Sequence, residues 1–140
     1  IAHFFPKHHV HQQACPMWVP IIENGEHQSE GADYFVKKYI EELLAQSSDI
    51  DCILLACTHY PLLIPKIQQQ ISKKIKLLSQ GEIVADSLVD YLNRHPEIES
   101  KLAKNNLKEF YTSGDVNVFN NHASLFLGER IIAKNMIKKP

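Results

Sequence analysis

Between Asp33 and Ala45 the apolar residues Phe35, Val36, Tyr39, Ile40, Leu43 and Leu44 recur at helical spacing, with Lys and Glu on the opposite face. That pattern predicts an amphipathic helix. Ile50 to Ala56 is different: the run is short, nearly continuous in apolar residues and preceded by Ser47-Ser48-Asp49. It predicts a strand buried on both faces by flanking helices. Pro61 then favours the first turn of a new helix whose apolar stripe is Leu62, Leu63, Ile67 and Ile71, with Pro65 still near enough its start to be tolerated. Ile75 to Ser79 predicts a second buried strand and Gln80-Gly81-Glu82 a turn. Ile83 to Asn93 predicts a helix with Ile83, Val84, Ser87, Leu88, Tyr91 and Leu92 on one side, stopped before Pro96.

The flanks are less regular. Val10 to Ala14 predicts a short strand leading into Cys15-Pro16, and Trp18 to Ile22 an apolar, proline-broken segment lying on the core. Glu23 to Glu26 reads as a turn. Towards the other end a short helix over Glu97 to Lys104 precedes a strand through Phe110-Tyr111-Thr112, a turn at Ser113-Gly114-Asp115 and a helix from about Val118 to Leu127. The tail after Gly128 carries no readable pattern. Alternation of strand and helix calls for an α/β fold, a three-layer domain with a mainly parallel sheet flanked by helices. The Asn105-Asn106 pair is the expected boundary, giving a domain over 1–104 and a separate carboxyl-terminal segment over 105–140.

Composition narrows the classes. The chain has 140 residues and 44% hydrophobic content, enough for one domain with a real core. Fifteen basic residues stand against 16 acidic ones, and Lys101, Lys104 and Lys108 are too scattered to form a nucleic-acid surface. No apolar stretch approaches the ~18 residues of a membrane span and no signal-peptide pattern opens the chain, so a cytoplasmic protein is expected. Three cysteines without zinc-type spacing argue for reduced thiols rather than a disulfide framework. The opening Ile1-Ala2-His3-Phe4-Phe5, without an initiating Met, reads as the start of a fragment.

Candidate chemistry gathers where the Ile50–Ala56 run ends. Ligands of open α/β sheets collect beyond the carboxyl ends of the strands, and Cys57, Thr58 and His59 stand there before a helix start. Free N–H groups and the helix dipole at such a turn favour a substrate carboxylate and can lower a thiol pKa, and His59 is placed to act as an acid/base partner. The plain alternative makes Cys57 a packing residue, Thr58 a cap and His59 a loop residue. Structural cysteines outnumber reactive ones, and from physics alone the two readings are close to balanced. Elsewhere, His8, His9, His11 and Cys15 have a spacing loosely like a metal site but lack a second ligand cluster, so no metal is expected. Glu82, Asp86 and Asp90 read as an exposed helix face.

The segment LLACTHYPLL closely resembles the second cysteine motif of glutamate racemases, in the aspartate/glutamate racemase superfamily. ACPMWVPIIENGE, SQGEIVADSL, FYTSGD and ASLFLG resemble other stretches of the same family. The resemblance implies one half of a pseudo-symmetric two-domain racemase that interconverts L- and D-glutamate for peptidoglycan with two thiols and neither metal nor other cofactor. It implies catalytic roles for Cys57 and His59, substrate contacts from Thr58 and His59, and for Glu23 the role of orienting that histidine. A plain loop carboxylate is an almost equal reading of Glu23.

The family's amino-terminal half, with the first catalytic cysteine, is absent. Neither Cys15, outside any matching motif, nor Cys52, read as a buried inert thiol, replaces it. The expected partners are therefore glutamate and that missing domain. Phe110, Phe119, Leu125 and Phe126 would otherwise lack a partner surface, a condition that favours self-association into a homo-oligomer or a rearranged tail. Rival readings are an aspartate racemase, a cysteine hydrolase using Cys57 with His59, and a non-catalytic amino-acid-binding domain.

Overall fold

The structure, a computed structural model, describes residues 3–136. The chain forms two compact units, residues 1–83 and 84–140.

In the first unit, α1 (Trp18–Glu23) is followed by α2 (Glu30–Leu44), β1 (Cys52–Leu54), a 3-10 turn over Tyr60–Leu63, α3 (Ile64–Gln70) and β2 (Lys76–Leu78). Ser29 caps α2 by accepting a hydrogen bond from the Ala32 N–H at 3.2 Å, and Glu30 and Asp33 place negative charge on its first turn, where the helix dipole favours it. The cap starts the helix three residues earlier than the apolar stripe alone indicates. Val36 and Ile40 of α2 are buried, as are Trp18 and Ile22 of α1, Leu63 of the 3-10 turn and Ile67 of α3. α2 packs against both α1 and α3. Lys66 of α3 ties the start of α2 by donating to the carbonyls of Gln28 and Ser29, each at 3.3 Å, and to the Asp33 carboxylate.

β1 and β2 pair in parallel, Cys52 opposite Lys76, Ile53 opposite Leu77 and Leu54 opposite Leu78, with α3 in the crossover. The Leu55 N–H extends the ladder by donating to the Leu78 carbonyl at 2.9 Å. Successive side chains leave a strand on opposite sides. Ile53 and Leu55 are accordingly buried, whereas Leu54 is 51% exposed and Cys52 is also exposed. The expectation of a strand buried on both faces, with an inert Cys52 inside it, is corrected on this point.

Three further corrections concern local structure. Val10 to Ala14 is not a strand among the described residues, because no partner strand meets it. It is held instead by side chains, Gln13 Nε2 donating to Glu42 Oε2 at 2.8 Å and Gln46 Nε2 to the Gln12 carbonyl at 3.1 Å. The Trp18–Ile22 segment lies on the core as expected, but as a helix. The helix expected after Pro61 is divided: one 3-10 turn carries Pro61, and α3 restarts at Ile64 with Pro65 in its own first turn.

α4 (Gln80–Arg94) begins in the first unit and runs into the second. Gln80-Gly81-Glu82 is therefore its first turn rather than a loop. Its apolar residues are exposed, Ile83 and Leu88 among them, except the half-buried Leu92. α5 (Pro96–Glu99) is shorter than the expected Glu97–Lys104 helix.

The second unit then contains β3 (Phe110–Thr112), α6 (Val116–Leu127) and β4 (Ala133–Asn135). Asp115 caps α6, its carboxylate accepting from the Val118 N–H at 2.9 Å, and Gly128 ends it in the left-handed region at φ 67°. β4 pairs in parallel with β3. Two α6 side chains hold the returning chain: Ser124 Oγ accepts from the Ile131 N–H at 2.9 Å and Asn120 Oδ1 from the Ala133 N–H at 2.8 Å. Phe110, Phe119, Leu125 and Phe126 are half-buried.

Candidate functional site

Beyond Leu55 the chain leaves the ladder and turns tightly. The Tyr60 N–H donates to the Cys57 carbonyl and the Leu62 N–H to the His59 carbonyl, each at 3.2 Å. The turn sets the Cys57 and His59 side chains beside each other, Sγ 3.8 Å from Nδ1. On the other side of the imidazole, Nε2 lies 3.1 Å from Oε1 of Glu23, the last residue of α1. Gly25, at φ 75°, turns the chain just after that helix.

Three of the four residues singled out in the sequence are thus brought into one series of thiol, imidazole and carboxylate. Thr58, the fourth, is exposed on the same turn. Cys57 is half-buried, and the His59 and Glu23 side chains are 25% and 43% exposed, so the series is open to a small solute.

A neutral imidazole carries one proton. With Nε2–H donating to the carboxylate, which can only accept, the Nδ1 lone pair faces the thiol and can take its proton. The dipole of a long helix does not contribute as the sequence suggests. The chain after Cys57 forms a single 3-10 turn and then a seven-residue helix.

The surroundings are aromatic. Trp18 meets Tyr60 edge to face with ring centroids 4.7 Å apart, and Trp18 Nε1 donates to the Phe35 carbonyl at 3.3 Å. Burial, and after it the neighbouring Cys15, Cys57 and Tyr39, pushes the Tyr60 phenol up. Burial and the Glu42 carboxylate push the Cys15 thiol up to about 11, so Cys15 is a poor nucleophile. Sequence reasoning missed the Trp18–Tyr60 contact; the only signal was an aromatic residue beside each motif.

Among the described residues, no group of three or more His, Cys, Asp or Glu side chains converges as a metal site. No helix among them is long and apolar enough to cross a membrane.

No family model matches the chain. Its relatives are nonetheless consistent in kind, being isomerases of amino acids built on the same α/β architecture. More narrowly, the chain is homologous to glutamate racemases. It is 36% identical over 126 residues to glutamate racemase from a Thermoanaerobacter species, an alignment covering 87% of this chain and 45% of that protein. The crystal structure of a glutamate racemase isoform from Bacillus anthracis superimposes with a TM-score of 0.79 at 28% identity, over 97% of this chain and 50% of that one. Glutamate racemase from Thermus thermophilus, solved in complex with β-chloro-D-alanine, gives a TM-score of 0.71 at 28% identity, over 89% and 46%. The chain spans about half the length of the relatives it matches. The resemblance read from LLACTHYPLL holds across nearly the whole chain, as does its α/β fold as half of a two-domain structure.

Proposed function

We propose that this chain supplies one half-site of a glutamate racemase, in which Cys57 is the proton-transfer group on one face of the substrate α-carbon. The observation that carries this reading is the series Cys57–His59–Glu23, with contacts of 3.8 and 3.1 Å. In the direction that begins with L-glutamate, His59 Nδ1 takes the Cys57 proton, and the thiolate then removes the α-proton. The S–H bond forms as the C–H bond breaks, leaving a carbanion whose charge spreads into the adjacent carboxylate. A thiol of the complementary half protonates the opposite face, giving D-glutamate for peptidoglycan synthesis. In the reverse direction Cys57 is the donor. Thr58 contacts the substrate from the same exposed turn, and no cofactor takes part in these steps. Support for an amino-acid substrate comes from the relatives' activity and from the D-amino-acid derivative held by the Thermus thermophilus enzyme.

The test is complementation. The chain is mixed with a separately produced amino-terminal half of a related glutamate racemase and incubated with L-glutamate in deuterated water. Loss of the α-proton signal together with appearance of D-glutamate is expected. A trapped acyl-enzyme, or binding without α-proton exchange, would replace this reading with a hydrolase or a binding domain respectively.

A further inference from the structure

The carboxylate of the series stands on a weak element. α1 is six residues long, has no side-chain cap at its start and contains Pro20. So short a helix is unstable by itself in water, and its position is decided by what it buries. Trp18 is 2% exposed and Ile22 is fully buried. Trp18 is gripped on two sides, by its hydrogen bond to the Phe35 carbonyl on α2 and by the Tyr60 ring, which it meets at 82°. Tyr60 directly follows His59 in the chain, and Glu23 closes the helix that Trp18 opens. The same two elements are therefore joined twice, once by the aromatic contact and once by the Glu23–His59 contact.

We propose that Trp18 and Tyr60 form a positioning pair that sets α1 against the Cys57–His59 turn and thereby holds Glu23 on Nε2 of His59. This rests on the proton relay proposed above. Neither ring moves a proton; their effect is on the imidazole tautomer. With Glu23 in place the proton stays on Nε2 and Nδ1 is a base towards Cys57. If α1 shifts by an ångström or two, a hydrogen bond of 3.1 Å is lost, the half-exposed ring populates both tautomers, and the Nδ1–H form cannot accept the thiol proton.

The experiment uses the full 140-residue chain labelled with 15N on histidine, studied at alkaline pH, where the 15N shifts separate the Nε2–H and Nδ1–H tautomers from the imidazolium. The His59 resonances are assigned with His59→Gln, and amide dispersion reports the fold. The native chain should show the Nε2–H form dominant. Tyr60→Leu and Trp18→Ala should each lower the Nε2–H to Nδ1–H ratio several-fold, towards the ratio seen in Glu23→Ala, whereas Trp18→Phe should restore it. Tyr60 is only half-buried, so Tyr60→Leu remains informative if Trp18→Ala does not fold. A native ratio in Tyr60→Leu, with release in Glu23→Ala, overturns the positioning role alone. A native ratio in Glu23→Ala overturns the relay beneath it.

Discussion

His59 Nε2 stands 3.1 Å from Glu23 Oε1 across 36 residues of chain. A hydrogen bond from one ring nitrogen of a histidine to a carboxylate fixes which nitrogen carries the proton. Here the ring so fixed is the His59 imidazole, whose other nitrogen, Nδ1, lies 3.8 Å from the Cys57 thiol.

Cys57→Ala, made in a protein containing both halves of the proposed site, should abolish racemisation in both directions. Each turnover needs a base on one face and an acid on the other, so loss of one thiol stops both. Turnover is followed by D-glutamate formation and by α-proton exchange, and near-native rates would remove Cys57 from the reaction.

His59→Asn in the same protein should lower kcat by roughly 10²-fold or more, the usual loss for an acid/base partner, while changing KM little. Initial rates over a range of L-glutamate concentrations separate the two. A change confined to KM would make His59 a binding residue only.

The 140-residue chain alone should not racemise glutamate, because one thiol motif reaches one face of the α-carbon. Incubation in deuterated water with either enantiomer should leave optical rotation constant. Sustained interconversion would show that a complete site lies within these residues.

Lys66→Met should destabilise the first unit by about 1–2 kcal/mol, since three acceptors lose their donor while the half-exposed Asp33 recovers water. The lower midpoint of urea unfolding, at unchanged slope, is the measurement. An unchanged midpoint would mean that apolar packing alone fixes α2 against α3.

Alkylation should distinguish the other two cysteines. At about pH 8, with its thiol pushed up to about 11, Cys15 is thiolate in roughly one molecule in a thousand. A raised thiol pKa keeps the neutral, unreactive form until pH rises towards that value. Exposed Cys52 should therefore be modified by iodoacetamide well before Cys15, as peptide mass analysis would record. Earlier labelling of Cys15 would mean that its pocket opens readily.

Much of this fold is legible in the sequence. The α2 stripe from Phe35 to Leu44 is plain because one helix face is buried against α1 and α3. The strand carrying Ile53 shows in its apolar run, but the run also contains Leu54 and Cys52, which point to water, and a continuous run cannot say which face is covered. Gly81 suggests a loop although a glycine in a first helical turn is tolerated. β4, reading Ala-Lys-Asn, has neither β-branched nor aromatic residues and gives no signal. At the site, Cys57 and His59 lie two residues apart and can be paired by eye. Glu23 comes only through family likeness, since nothing in a sequence gives the approach of α1 to the turn.

The return of the chain after Gly128 has a dimension of its own. Asn120 and Ser124 are four residues apart on α6, a rise of about 6 Å, while the N–H groups they receive, on Ala133 and Ile131, are two residues apart in extended chain, about 6.6 Å. The two periodicities nearly coincide, so the helix works as a ruler laid against the returning chain, and it reads in reverse, the later helix residue holding the earlier residue of that chain. The register of β4 against β3 is then set from the side as well as along the ladder. Adding or removing a single residue between Ile131 and Ala133 would put the two marks out of step, whereas a change in the loop before Ile131 leaves their spacing intact, which makes the length of that two-residue step the quantity under constraint.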